Sequence, residues 1–506
     1  MSRINTNVQS LIAQRVLNLN TNSLNGSLER LSTGLRIVRG KDDPAGLIAS
    51  ENLRSEIRAT NAAISNSERA DQVVNIAEGG LQEVSSLLTE LQGLITGTAS
   101  RSGLSLEERR ANQLQVDSIL QTIDRISSAT SFQGIKLLNG NFDFKTSGLA
   151  AGITDLRINA AKYNTGSLNV NVIVTQSAQQ AGLYLSMGST AIDLGGSTSS
   201  FVVEVRGALG ARELTFSSGS TLSAIAAAVN TFRDVTGVEA VSSGTGLKLF
   251  SSEYGGAEFV SVKVLDDGGV GTASSKGIYQ LGTQDFGAAS TTLTSTYTSA
   301  GNGVRDDGQD VRTTINGIQS TNVGRQTRIN TDFLDVEMTV SVAASQTLGA
   351  VGSSGPSLVI TGGGAEFQLA ARVDIQGRVS LGIQDVSTRR LGNSTVGRLK
   401  ELAAGATLNV VDGSSTEAQK VVAEAINQVS SLRGRLGAFQ KNNIGATIRS
   451  LNVAVENSSA AQSVIRDADF AAETASLTRA QILVNASTNV LGLANNAPQS
   501  VLQLLG

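Results

Sequence analysis

Both ends of this 506-residue chain carry apolar stripes at helical spacing that neither end can cover by itself. Leu24, Leu28, Leu31 and Leu35 step by four, three and four, a seam along one helix face rather than a core wrapped on all sides. Near the other terminus Leu483, Ala486, Val490, Leu493, Ala497, Val501 and Leu504 keep similar steps. Fully burying one such Leu or Val is worth roughly 1.5–3 kcal/mol, and a lone two-helix layer collects only part of that. Open seams at both ends ask for identical neighbours, which favours a subunit that assembles through its termini.

The segments just inside the termini do have the means to cover one another. Ala77, Leu81, Val84, Leu88, Leu91 and Ile95 hold a heptad pattern. Ser105-Leu-Glu-Glu108 is a capping box that opens a further helix, with Val116, Ile119, Ile123 and Ile126 on one face. A second box, Ser414-Ser-Thr-Glu417, precedes Val422, Ala425, Val429, Leu432, Leu436 and Phe439. The phase slips at Lys441–Ile444, and then Ile448, Leu451 and Val455 resume. Gly40 to Gly46, with Asp42-Asp43-Pro44 inside it, breaks the first helix from the second.

From about residue 130 the period changes to that of strands. Asn139-Gly140-Asn141 reads as a hairpin turn, and Leu369–Ile383 as another hairpin turning at Gln376-Gly377. Short alternating runs recur at 167–174, 201–205, 247–250, 259–264, 333–342 and 357–360, so 150–355 reads as one or two small β-domains. The expected fold class is α+β and multidomain: N- and C-terminal helices in coiled-coil or helix-bundle layers around a central β-rich insertion. Its divisions fall at 1–40, 41–149, 150–355, 356–465 and 466–506.

Composition removes most chemistry. The chain has neither Cys nor His. Thiolate nucleophiles, disulfides, imidazole bases and Cys/His metal sites are therefore excluded, and no cofactor is expected. A net charge of −3 gives no reason to expect nucleic acid. No apolar run is long enough to span a bilayer, and the first residues lack a signal core. Asp306-Asp307-Gly308-Gln309-Asp310 resembles part of a calcium loop without its terminal Glu, and reads as a polar turn. Asp42-Asp43 and Asp467-Ala-Asp469 sit at expected helix ends, where carboxylates cap and complement the dipole.

Several motifs, in order, resemble those of bacterial flagellins. They are Ile4-Asn-Thr-Asn7, Glu29-Arg-Leu-Ser-Thr-Gly-Leu-Arg-Ile37, Lys41-Asp-Asp-Pro-Ala-Gly46 and Phe132-Gln-Gly-Ile-Lys-Leu-Leu-Asn-Gly140. Arg466-Asp-Ala-Asp-Phe-Ala-Ala-Glu473 and Ala494-Asn-Asn-Ala-Pro-Gln-Ser-Val-Leu-Gln-Leu-Leu-Gly506 are similar to the family's C-terminal pattern. The resemblance covers roughly the first 145 and last 110 residues. It implies a non-enzymatic filament subunit of the extracellular flagellum, with residues 1–40 and 466–506 in an inner tube. It implies 41–149 and 356–465 in an outer tube, and 150–355 facing solvent. The implied partners are further copies of the chain, an export chaperone, the filament cap and the hook–filament junction protein. The rival reading is a junction protein with similar ends. An inserted metalloprotease, known in some flagellins, needs His-Glu-x-x-His, and this chain has no His.

The resemblance also marks a departure. Flagellins sensed by the animal innate receptor carry an Arg in Leu-Gln-Arg-Val-Arg-Glu-Leu. The matching stretch here is Leu88-Thr-Glu-Leu-Gln-Gly-Leu94, which puts Glu90 at that Arg, and a family Glu falls at Gln115. Replacing a forked donor by a carboxylate implies weak or absent stimulation of that receptor.

Overall fold

The computed structural model describes residues 6–100, 103–163, 166–196, 199–270, 276–281, 293–352 and 355–503, the last six of these by backbone alone. The principal helices are α1 (Val8–Thr33), α2 (Pro44–Thr98), α3 (Leu106–Ala129), α4 (Leu222–Thr231), α5 (Ser415–Ala438), α6 (Gly445–Arg466) and α7 (Phe470–Gln503). The chain forms two compact units. One comprises Met1–Gln72, Phe367–Arg378 and Gly437–Gly506; the other comprises Val73–Glu366 and Val379–Leu436.

In the first unit α1 and α7 run antiparallel. Asn7 caps α1 by accepting the Ser10 amide. Gly34 ends the helix at φ 71°, a left-handed conformation that suits Gly, with its N–H on the Arg30 carbonyl. The chain then meets the start of the C-terminal helix edge to edge. Arg36 N donates to Arg466 O, Ala468 N donates to Gly34 O, and Leu35 bridges Asp467. Of the paired carboxylates, Asp43 and Asp469 cap the helices that follow them, whereas Asp42 ties the connector before α2 and Asp467 accepts from Ser463 Oγ. Asp42 accepts from Val38 N and Arg39 N, Asp43 from Gly46 N, and Asp469 from Ala471 N and Ala472 N. The amide of Arg39 holds the exposed Asp42 carboxyl below the usual range.

In the second unit the heptad residues of α2 form a core. Ala77, Leu81, Val84, Leu88, Leu91 and Ile95 are all buried, together with Val116 and Ile123 of α3 and Val422, Ala425 and Val429 of α5. The Ser105/Glu108 capping box is present with both of its bonds. At 414–417 one half of the second box is seen, Glu417 N to Ser414 Oγ at 3.3 Å. Polar ties lock the helices to one another and to the loops packed on them. Arg433 meets Glu78 at 2.8 Å, Gln113 bonds Leu402 O and Val410 N, and Asp124 accepts from both Thr388 N and Oγ1.

The middle of the chain builds two antiparallel β-modules. The inner one includes the order Thr321–Val323, Gln326–Asn330, Leu334–Val340, Ile153–Ala161, and Leu334–Val340 alternates buried and half-buried along its length. The outer one sets Val238–Ser243, Gly246–Ser251, Gly182–Ser186 and Gly277–Gln280 in one sheet, and Val304–Asp307, Phe259–Asp266, Ser200–Gly207 and Ala211–Ser217 in another. Each module has its own apolar core. Within the outer module lies α4, a helix in a region expected to be all strand. Thr221 caps it, and it buries Leu222, Ile225, Ala226 and Val229.

Two expected turns are corrected. The tight hairpin falls at Gln133-Gly134, where φ is 49° and 82°, and pairs Ser131–Phe132 with Ile135–Lys136. Phe144–Ser147 instead joins Leu358–Gly363, so Asn139-Gly140 does not close a hairpin. The segment after Leu369 is closed by Leu369 N on Gly377 O around a broad loop, not by a two-residue turn at 376–377.

The calcium-like stretch is a joint between the modules. Asp306 accepts from Gly182 N, Asp310 accepts from Gly256 N and Gly324 N, and Asp307 pairs with Arg305. Its carboxylates are engaged by amides and an Arg. Among the described residues no group of three or more acidic side chains converges as a metal site.

Candidate assembly surface

The helical period gives α7 two apolar stripes, roughly 100° apart around its axis. The first comprises Leu477, Ala480, Val484, Ser487, Leu491 and Ala494, all buried or half-buried. It lies against α1, whose facing stripe is Ala13, Leu17, Asn20, Leu24, Ser27 and Leu31, also buried or half-buried. On both sides Leu or Val alternates with a small or polar residue, so large side chains pack beside short ones. Polar rungs fix the pairing: Asn7 Nδ2 on Ala494 O at 2.7 Å, Ser10 Oγ on Asn495 Oδ1 at 2.6 Å, and Asn20 Nδ2 on Ser487 Oγ at 2.7 Å. Arg30 and Glu473 add an ion pair at 3.7 Å.

The second stripe of α7 is bare. Val490 is 54% exposed and Leu493 71%, and Leu483, Ala486 and Ala497 are exposed with them. The side chain of Val501 and the whole of Leu504 lie outside the described residues. Of the expected α1 positions, Leu28 is exposed. Leu24 and Leu31 are half-buried in the stripe that faces α7, and Leu35 is half-buried at the bridge to Asp467.

The bare stripe of α1 is a different set that the leucine spacing did not reveal: Val8, Ile12, Val16 and Leu19, all exposed. Both bare stripes are rotated in the same sense from the α1–α7 contact. In an antiparallel pair, equal rotation in each helix's own frame brings them to the same side of the pair. Exposed apolar residues thus line one side of a helix pair whose facing stripes are already covered. No helix among the described residues is long and apolar enough to cross a membrane.

Of the residues at the innate-receptor positions, Leu88 is buried in the helical core and Leu94 half-buried, while Glu90 and Gln115 are exposed.

The N-terminal part, residues 4–143, matches the bacterial flagellin N-terminal helical region, and residues 419–505 match the bacterial flagellin C-terminal helical region. Over the full length the chain is 30% identical to the B-type flagellin of Pseudomonas aeruginosa, with 99% of each chain covered. It is 31% identical to the flagellin of Escherichia coli K12 over the same share of both. Among solved structures, the D1-D2-D3 domains of the flagellar cap protein from Escherichia coli are similar at 17% identity and TM-score 0.27, covering 48% of this chain and 64% of that one.

Helical ends around a β-rich middle, with both ends matched to flagellin helical regions, make this a structural protein. It belongs to the bacterial flagellin family and is a structural subunit of the extracellular flagellar filament, which serves swimming motility.

Proposed function

We propose that the filament is held together through the bare stripe of α7 at Leu483, Ala486, Val490 and Leu493, continued by Ala497, Val501 and Leu504, with the bare stripe of α1 beside it. The carrying observation is the exposure of Val490 and Leu493 on a helix whose other stripe is already covered. Docking like copies on this face completes the burial that the pair alone leaves unfinished, so ordering of the ends and assembly are coupled. In this reading residues 1–40 and 466–506 line the inner tube. Residues 41–149 and 356–465 form the outer tube, and 150–355 meet solvent. The export chaperone would shield the same C-terminal stripe before assembly, and the filament cap and hook–filament junction protein would meet it at the two ends of the polymer.

The test is a Val490→Asp, Leu493→Asp double variant of the full chain, examined by electron microscopy with circular dichroism as a control for folding. Absence of filaments from a folded chain is expected; normal filaments end the proposal.

Glu90 and Gln115 are exposed at positions where receptor-stimulating relatives offer Arg and Glu, which supports weak stimulation of the animal innate receptor. A receptor reporter assay on monomer decides this, and potency equal to that of a recognised flagellin refutes it.

A further inference from the structure

We infer that Asn20 selects which face of α7 is committed to α1, and therefore which face is left for neighbouring subunits. The inference rests on the assembly role proposed for the bare stripe. Burial alone makes no choice. The stripe against α1 carries Leu477, Ala480, Val484, Leu491 and Ala494 around Ser487, and the bare one carries Leu483, Ala486, Val490, Leu493 and Ala497. Each offers two Leu, one Val and two Ala, so turning either one inward removes a similar apolar surface from water.

The deciding term is polar. Asn20 Nδ2 donates to Ser487 Oγ at 2.7 Å and lies 3.5 Å from the Leu483 carbonyl. Ser487 is buried. The bare stripe offers no side-chain acceptor at 483, 486, 490 or 493, so rotating it inward sets a half-buried amide against hydrocarbon. A single Asn in an apolar helical seam specifies geometry in this way, at some cost in stability.

The apolar rungs cannot make the choice. Leu17, Leu24 and Leu31 on α1, and Leu477, Val484 and Leu491 on α7, each repeat every seven residues. A shift of one heptad matches them equally well but sets Asn20 against Ala480 or Ala494. The backbone bonds at the base, Arg36 N to Arg466 O and Ala468 N to Gly34 O, fix where α7 begins. They lie at one end of a long helix, as does the Arg30–Glu473 pair, while Asn7 donates to a backbone carbonyl and Ser10–Asn495 is an exposed pair near the other end. Asn20–Ser487 is the side-chain pair between them, and its acceptor is buried.

The experiment uses the full chain under assembly conditions. Because the chain has no Cys, Ser10→Cys with Asn495→Cys gives a unique pair at a side-chain contact of 2.6 Å. A short thiol cross-linker then reports native facing as a product of monomer mass, and contact between subunits as a dimer. With Asn20 intact, filaments form and the monomer-mass product dominates. Asn20→Leu, although more apolar, lowers both filament yield and that product by about tenfold. The reciprocal pair Asn20→Ser with Ser487→Asn restores both.

The inference is overturned if Asn20→Leu leaves the yield undiminished, or if the yield falls while the cross-link persists. Failure of the reciprocal pair to restore both overturns it as well. Failure of the stripe reading is separate: it shows as normal filaments from the Val490→Asp, Leu493→Asp variant with Asn20 unchanged.

Discussion

Phe439 and Ile444 stand five residues apart on one continuous helical path, and both are buried. An α-helix brings residues three or four apart to one face, so the fifth residue must be absorbed. The π turn Phe439–Ile444 between α5 and α6 absorbs it. Removing one residue there, for example Asn442, shortens the interval to four and lets an unbroken α-helix bury both side chains. The deletion is expected to be tolerated, with far-ultraviolet circular dichroism retained and the unfolding midpoint little changed. The same single-residue deletion in α5 at Ser430, where no π turn absorbs it, turns Leu432 and Leu436 out of the core and is expected to destabilise strongly.

Leu88 and Glu90 are two positions apart on α2 with opposite environments, the first fully buried and the second exposed. Leu88→Ala is expected to cost about 2–5 kcal/mol, because it removes burial and leaves a cavity between packed helices. Glu90→Ala stays within about 0.5 kcal/mol. Urea unfolding of the full chain separates the two.

Gly364 and Gly434 make a second contrasting pair. Gly364 has φ 79°, and a Cβ there would lie 2.6 Å from the Phe144 ring. Gly364→Ala is therefore expected to cost about 1–3 kcal/mol or more, from strain and overlap together. Gly434 lies inside α5 with nothing within 4 Å of an added Cβ. Gly434→Ala is expected to stabilise by about 0.5–1 kcal/mol, read as a raised thermal midpoint.

Burial raises the Asp143 carboxyl above its ordinary value of 3.8, against the lowering effect of the Phe144 amide it accepts. The folded chain thus holds this proton to higher pH than the unfolded chain does. Its contribution is fully present below 3.8 and is lost as pH rises through the raised folded value. Asp143→Asn keeps an acceptor for the amide and removes the charge. The variant is expected to be more stable than the parent at pH 7, with the difference closing below 3.8, as followed by thermal unfolding across pH.

The sequence was most legible where helices cover one another. Each heptad residue from Ala77 to Ile95 is buried, since a periodic stripe flanked by two others has one place to go. The slip at Lys441–Ile444 was legible as well, because an extra residue in a heptad has few outlets other than a π turn. The terminal pair was only half legible. Leu483, Val490 and Leu493 are exposed, but on α1 the leucine spacing picked Leu24 and Leu31, which pack on α7. Ala13, Asn20 and Ser27 define the contact stripe there, and small or polar residues leave little trace in an apolar count. In the middle, α4 escaped notice because its Ala-rich ten-residue length is too short for a clear period. The Asn139-Gly140 signal misled because Gln133-Gly134 supplies the left-handed pair required by the hairpin that forms.

The outer β-module is entered and left through a single doorway. Gln179 and Gln309 bond each other's backbones in both directions, N to O at 2.8 and 2.9 Å, so some 130 residues of chain depart from and return to one rung. What hangs beyond that rung can be exchanged, lengthened or trimmed without rethreading the frame that carries it. A lineage is therefore free to redraw this module while the strands and helices on the near side of the rung stay constant.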